Sequence, residues 1–393
     1  MRIAIDARSI CGADGGVGAG VEHYAWSAVF ALVRRQPEHR FFVFVPRALS
    51  AARRASLTAG CANVRLLPAD PVRVPFVSRH LLFPLALKAV RADVLFVPTP
   101  NLPWAWGGPS VVVVHDLAIF DRPDWFPDAD AQSVSTKRLV PRSLARATRI
   151  VAVSEATRRA VARFNPQAEE KTTVAYPGVP LEPETSDVAP SATPPLTRLA
   201  LPPEYLLFLG TVEPRKNLTT VIYAFHRFLT DHPERAATLR FLLAGKWGWK
   251  AEDVREAMDR VNAWWQPAAG GPVVCFLGPV LEEEKRPLLR GASAFVFPSL
   301  DEGFGLPVLE AMAEGVPVIC SDRGALPEVV GDAGLLCPPQ DAEGLAFLYA
   351  QCLLMPEAVA YLREEGKRRA AQFTWERTAD GILDALERTQ KPA

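Results

Sequence analysis

An α/β fold of two Rossmann-like, doubly wound domains facing each other across a cleft is predicted by three observations. Short apolar runs of strand length alternate with longer segments of helical period, the pattern of parallel sheets with crossover helices. The 393 residues, 49% of them hydrophobic, exceed what one ordinary core holds. A Pro-rich stretch with no apolar period divides the chain near its middle.

In the first half the strand-length runs are Arg2 to Asp6, Phe41 to Val45, Asn63 to Leu67, Val94 to Val97, Val111 to His115, Ile150 to Ser154 and Thr172 to Ala175. They define an N-terminal domain over 1–180. Pro183, Pro190, Pro194 and Pro195, mixed with Ser and Thr, mark 181–200 as a linker. A second domain, 201–372, restarts with Tyr205 to Gly210 and continues through Arg240 to Ala244, Val273 to Leu277, Ala294 to Phe297 and Val316 to Cys320. In 373–393, Thr374 is placed to cap a last helix, and Ile382, Leu383 and Leu386 give it an apolar stripe for docking, with the N-terminal domain as one destination.

The formal net charge is zero, but residues 1–180 carry 23 Lys+Arg against 14 Asp+Glu and the remainder 21 against 30. A basic first half suits an anionic lipid surface or an acidic partner domain, and ordinary surface variation gives the same count. Six scattered cysteines without a Cys-x-x-Cys pair or a His cluster speak against a metal site or a disulfide framework. The start, Met1-Arg2-Ile3-Ala4-Ile5-Asp6, turns polar too soon for a signal peptide, and no uncharged apolar stretch approaches eighteen residues. The expected location is the cytoplasm. The run His80 to Lys88 suits a membrane face, although a buried helix accounts for it more simply.

Ligands of such sheets bind beyond the carboxyl ends of strands, and the notable motifs lie there. Pro298-Ser299-Leu300-Asp301-Glu302-Gly303-Phe304-Gly305-Leu306-Pro307 follows an apolar strand and opens a helix carrying Glu310. Gly303 and Gly305 permit close backbone approach, and the helix start offers N–H groups to a diphosphate. The plainer reading of two glutamates eight apart is a solvated helix face. Gly210-Thr211-Val212-Glu213-Pro214-Arg215-Lys216-Asn217 places two cations between a strand and a helix, where Arg215 can fork onto phosphate oxygens and Lys216 can act as a point charge. Gly245 and Lys246 end the next strand, with Trp247 and Trp249 as cleft or packing residues, and Gly278 ends another.

In the first domain His115 and Asp116 follow four consecutive valines, where His115 can meet a sugar hydroxyl and Asp116 an acceptor hydroxyl or the ring itself. The loop Cys11 to Gly20, with Gly16, Gly18 and Gly20, follows the first strand but lacks a complete dinucleotide fingerprint, so a phosphate- or acceptor-contacting loop is expected. Ser154 is placed to cap a helix. Lys137, Arg138, Arg142, Arg146 and Arg149 fit a solvated face, with a lipid phosphate as the alternative.

Together these motifs resemble the retaining GT-B glycosyltransferases of family 4, whose glutamate motif with seven intervening residues corresponds to Glu302 and Glu310. The resemblance spans nearly the whole chain and is most specific in the second domain. It implies a nucleotide-sugar donor and a glycan or lipid-linked glycan acceptor bound by the first domain. It also implies that Arg215 and Lys216 neutralise the donor diphosphate and that Glu310 holds the ribose. Glu302, with the backbone of Gly303, Phe304, Gly305 and Leu306, is implied to bind the donor sugar and phosphate, and His115 to assist beside the sugar. Gly210, Gly245 and Lys246 complete the implied donor set, and Gly16, Gly18, Gly20 and Asp116 the acceptor or phosphate loop. No cofactor or metal is implied, because positive charge and helix dipoles stabilise the departing diphosphate.

The Glu213-Pro214-Arg215-Lys216-Asn217 and Val114-His115-Asp116-Leu117 forms are most similar to mannosyltransferases using GDP-mannose in cell-surface polysaccharide assembly, with UDP-sugar transferases as the alternative. The segment Gly20-Val21-Glu22-His23-Tyr24 departs from relatives that carry a basic residue there. A GT-B epimerase, a catalytically silent nucleotide-sugar-binding protein and an exported solute-binding protein are the competing readings. Peripheral contact at the inner membrane face through the basic first domain is a further expectation, and no nucleic-acid partner is expected.

Overall fold

The computed structural model describes residues 1–10, 20–69, 75–179 and 201–390. The chain divides into two compact units, the first made of Met1–Asp121, Asp128–Gly178 and Phe373–Ala393, the second of Arg122–Pro127 and Val179–Gln372. The expected linker, 181–200, lies outside the described residues, as do Gly16 and Gly18.

Unit one is built on a seven-stranded sheet of β1 (Arg2–Asp6), β2 (Arg40–Val45), β3 (Val64–Pro68), β4 (Val94–Val97), β5 (Ser110–Val114), β6 (Arg149–Ala152) and β7 (Thr172–Val174). All pair in parallel in the order β3-β2-β1-β4-β5-β6-β7. The central strands are apolar on both faces, as helices on both sides require. Val111 to Val114 are fully buried, and their branched side chains suit a pleated surface. The strand order reverses between β1 and β4.

The last helix, Trp375–Glu387, belongs to this unit. Thr374 caps it by accepting from the Arg377 N–H, and Ile382, Leu383 and Leu386 are buried. Thr378 Oγ1 donates to the Tyr176 carbonyl over 2.6 Å. Gly178 lets the chain pass close by, since a Cβ there would lie 2.3 Å from the Thr374 carbonyl carbon.

Unit two carries a six-stranded parallel sheet of β8 (Glu204–Leu209), β9 (Leu239–Ala244), β10 (Val274–Gly278), β11 (Ala294–Phe297), β12 (Val318–Ser321) and β13 (Leu335–Cys337), ordered β10-β9-β8-β11-β12-β13. Here the order reverses between β8 and β11. The twelve strands anticipated from sequence all form, with ends displaced by no more than two residues. β13 was not anticipated.

No single described helix is long and apolar enough to cross a membrane. Among the described residues the five cysteines are free thiols, and no cluster of His, Cys, Asp or Glu could hold a metal ion.

Candidate active site

In an open parallel sheet the crevice for a ligand forms where neighbouring crossovers leave in opposite directions. In unit two that place is bounded by the loops after β8 and β11, which carry Arg215 and Lys216 on one side and Glu302 on the other. The loops are joined through the backbone, because Leu300 N–H donates to the Arg215 carbonyl over 2.8 Å.

The loop after β8 is also fastened to the end of β9. Gly210 N–H donates to the Ala244 carbonyl and Val212 N–H to the Lys246 carbonyl, each over 2.9 Å. Gly245, at φ +131°, makes this possible, since a Cβ there would stand 2.0 Å from the Gly210 carbonyl oxygen. The close approach that Gly245 permits is therefore to Gly210. Lys246 is exposed, and Trp247 packs edge-on against Phe276 with Arg255 over its ring. Trp249 Nε1 donates to the Trp125 carbonyl, so it too has a packing role. Pro214–Lys216 then forms one tight turn, and Asn217 follows at φ +55°. Its amide donates to the carbonyls of Pro298 and Pro339, anchoring the start of the helix Leu218–Asp231.

The charges converge on Glu302, which is 8% exposed. Lys216 Nζ lies 2.5 Å from Glu302 Oε1, and Arg215 Nη1 donates to Oε2 over 3.3 Å. Arg215 also forks through Nε and Nη2 onto Glu213 Oε1, at 3.2 and 3.1 Å. Burial alone would raise the Glu302 carboxyl, but Arg215 and Lys216 together hold it below the usual carboxylate range, so it is ionised at neutral pH. Burial pulls the Lys216 ammonium down, and Glu302 opposes that shift. Lys216 further rests over the Phe297 ring. The Glu302 backbone is fixed as well, since its carbonyl accepts from Ala325 N–H and Gly324, at φ +58°, passes within 2.4 Å of it by a notional Cβ.

Gly305, at φ +103°, turns the chain into the helix Leu306–Ala313, with Pro307 in its first turn and Phe304 buried beside it. Glu310 sits one turn in and is paired with Lys285 Nζ at 2.5 Å. Burial lowers Lys285, yet Glu310 and Glu282 hold its ammonium above the ordinary value. Thus Arg215, Lys216 and Glu302 form one cluster, while Glu310 occupies a second ion pair on the same loop-helix segment. Glu213 and Lys285 are members that the sequence reading did not single out.

In unit one, His115 directly follows β5, and its Nε2 is 2.9 Å from the carbonyl of Pro98, which directly follows β4. That contact requires the proton on Nε2 and leaves Nδ1 as an acceptor in the neutral ring. Burial lowers the imidazole, and Tyr24 meets it edge-on at 4.7 Å. Asp116 Oδ1 accepts from Ala118 N–H at the start of a short helix. Gly20 is the first residue of the helix Gly20–Arg35 and has open space where a Cβ would stand, so nothing described there requires glycine. Ser154 caps the helix Glu155–Phe164 through the Thr157 N–H, as anticipated.

Residues 203–353 match the family model of group 1 glycosyl transferases, and residues 18–183 that of glycosyltransferase family 4. An O-antigen chain mannosyltransferase B of Escherichia coli is 31% identical over 285 residues, covering 71% of this chain and 70% of that protein. The chain belongs to glycosyltransferase family 4. A D-inositol 3-phosphate glycosyltransferase of Saccharomonospora viridis is 30% identical over 291 residues, covering 71% of this chain and 64% of that protein. The serotype-specific mannosyltransferase WbdA of Escherichia coli is 26% identical over 74% of this chain, a match that spans 34% of that longer protein. Among solved structures, Anabaena HepE in complex with UDP and glucose superposes with a TM-score of 0.69 at 19% identity, covering 98% of this chain and 99% of HepE. Sucrose-phosphate synthase of Thermosynechococcus elongatus gives 0.69 at 21% identity, with 98% of each chain covered. The family 4 chain therefore has the GT-B fold of these enzymes and is a glycosyltransferase by family.

Proposed function

We propose that this glycosyltransferase is a retaining, metal-independent mannosyltransferase that moves mannose from GDP-mannose to a glycan or lipid-linked glycan in cell-surface polysaccharide synthesis, working in the cytoplasm with peripheral contact at the inner face of the membrane. The observation that carries the reading is the cluster of Arg215, Lys216 and Glu302 at the β8/β11 reversal. Two cations at one strand end suit the two phosphates of a nucleotide sugar, and the carboxylate beside them suits hydroxyl groups of the sugar. The names of the Escherichia coli relatives support mannose as the donated sugar.

In this reading the diphosphate takes Arg215 and Lys216 away from Glu302, and the released carboxylate accepts hydrogen bonds from the sugar. Gly303, Phe304, Gly305 and Leu306 line the sugar and phosphate with backbone, Gly210, Gly245 and Lys246 border the donor, and Glu310 holds the ribose. The bond from the anomeric carbon to the diphosphate oxygen breaks as the acceptor oxygen bonds to the same face. The acceptor proton passes to the leaving phosphate. His115 Nδ1 accepts from a sugar hydroxyl, while Gly16, Gly18, Gly20 and Asp116 serve the acceptor or a phosphate. Glu302 is then a binding group, and Arg215 and Lys216 provide the charge that a divalent ion would otherwise supply.

A UDP-sugar donor is the second reading, favoured by the likeness to HepE with UDP and glucose. Incubation with GDP-mannose, UDP-glucose and UDP-GlcNAc in EDTA separates the two. GDP release from GDP-mannose, with an α-linked product by NMR, is the expected result. Release of UDP alone would replace the donor, and an inverted product or strict metal dependence would overturn the mechanism. Binding without turnover of any donor would leave a silent binding protein.

A further inference from the structure

The least covered apolar side chains of unit one are not scattered. Phe76, Leu81, Leu85, Trp104 and Val134 are 48, 41, 59, 44 and 59% exposed, and they come from three segments that bond to one another. Ala105 N–H donates to the His80 carbonyl over 3.1 Å, and Trp104 N–H to His80 Nδ1 over 3.2 Å, joining the helical stretch 75–89 to the loop after β4. Ser135 Oγ donates to Asn101 Oδ1 over 3.1 Å, and Arg146 donates to the carbonyls of Trp104 and Trp106, joining that loop to the helical stretch 135–146. Leu81, Leu85 and Lys88 recur at the spacing of one helix face, and Arg142 lies over the Trp104 ring at 5.1 Å.

Charge says what covers this surface. Across 75–89, 98–109 and 134–146 there are six Lys and Arg and no Asp or Glu, the nearest acids along the chain being Asp93 and Asp130. Apolar side chains standing in water among long cations that carry their heads on apolar stems are the composition of a face resting in the headgroup region of a bilayer. The aliphatic and indole groups enter the acyl boundary, and the cations meet lipid phosphates. We propose that this face of unit one docks on an anionic phospholipid surface, with Leu81, Leu85 and Trp104 as the inserted groups and Arg138 and Arg142 among the phosphate contacts. The inference deepens the peripheral contact proposed above by naming its surface. None of these residues belongs to the candidate active site.

Full-length protein is sedimented with vesicles of phosphatidylcholine alone and with vesicles about one third phosphatidylglycerol, at low and at high salt. The expected result is binding to the anionic vesicles only, weakened by salt. Both Leu81→Ser with Leu85→Ser, and Arg138→Glu with Arg142→Glu, should weaken it by about tenfold or more. All four positions tolerate polar groups sterically because their side chains face water, and unchanged far-UV circular dichroism and unchanged GDP binding verify the fold. No binding of the wild type to anionic vesicles, or undiminished binding by both variants, would overturn the proposal, as would capture by soluble polyglutamate with none by vesicles. Vesicle binding is read without turnover, so its failure leaves the transfer reading standing, and failure of transfer leaves the docking surface standing.

Discussion

Lys216 meets one oxygen of Glu302 and Arg215 the other, so under the proposed donor assignment a diphosphate would have to win both cations from a carboxylate that already holds them. Changing Lys216 to Ala should lower kcat/KM about 10²- to 10³-fold, the usual loss when one donor to a developing negative charge is removed. Glu302 keeps Arg215 as a partner in that variant, so the fold should survive, as a thermal melt would verify. Glu310→Gln should raise the Kd for nucleotide about tenfold with a smaller effect on kcat, measured by calorimetry and initial rates. The meeting of Arg215, Lys216 and Glu302 was legible because each stands in a short motif at a strand end, whereas Glu310, one turn into its helix, pairs with Lys285 instead. Lys285 was not legible, because Glu282-Glu283-Glu284-Lys285-Arg286 reads as a solvated face, and only the fold turns Lys285 toward Glu310. His80 was read only as part of an apolar run, yet burial, with Arg79 and Arg8, takes its pKa down to about 4. Its unfolded value is near 6.5, so between these limits the unfolded chain binds more protons and stability falls as pH drops from about 6.5 toward 4. The loss should be about 1 to 2 kcal/mol after screening, visible in denaturant titrations and flattened by His80→Asn.

Turns and caps decide how well the elements hold these side chains. Gly324 has φ +58° and packs against the Glu302 backbone, so Gly324→Ala combines left-handed strain with a clash. It should cost about 2 to 4 kcal/mol by denaturant unfolding and weaken nucleotide binding. Thr374→Ala removes the cap of the last helix and should cost about 1 kcal/mol, with nucleotide binding unchanged. Thr374 and Ser154 could be read as caps because a hydroxyl preceded an apolar periodic run. The strands were legible for a related reason, since a central parallel strand must be apolar on both faces and stands out as an unbroken run, as Ala294 to Phe297 does. β13, at the sheet edge, has three residues with Leu336 partly in water, and that is too short to display any period. Gly245 could be recognised as a close-approach position, but its neighbour could not, because the Gly210 contact depends on how β8 and β9 pair.

At the scale of the molecule, two parallel sheets whose strand orders both reverse next to their first strands explain why motifs gather at a few strand ends. Chain order places β1 and β4 side by side in unit one, as it does β8 and β11 in unit two. Sequence showed that each half was such a sheet. The return of Arg122–Pro127 to unit two was hidden, because six residues without period carry no sign of the unit they join. Under the proposed mechanism, in which side chains supply the charge, transfer should persist when EDTA is added to enzyme freed of metal, and an abolished rate restored by Mg²⁺ would refute that part of the account. The most direct measurement is calorimetric titration of GDP in EDTA into the wild type and into Lys216→Ala. The account predicts saturable one-site binding to the wild type and a Kd at least about tenfold higher in the variant. Equal affinity for the two proteins would contradict the assignment of the diphosphate to Arg215 and Lys216.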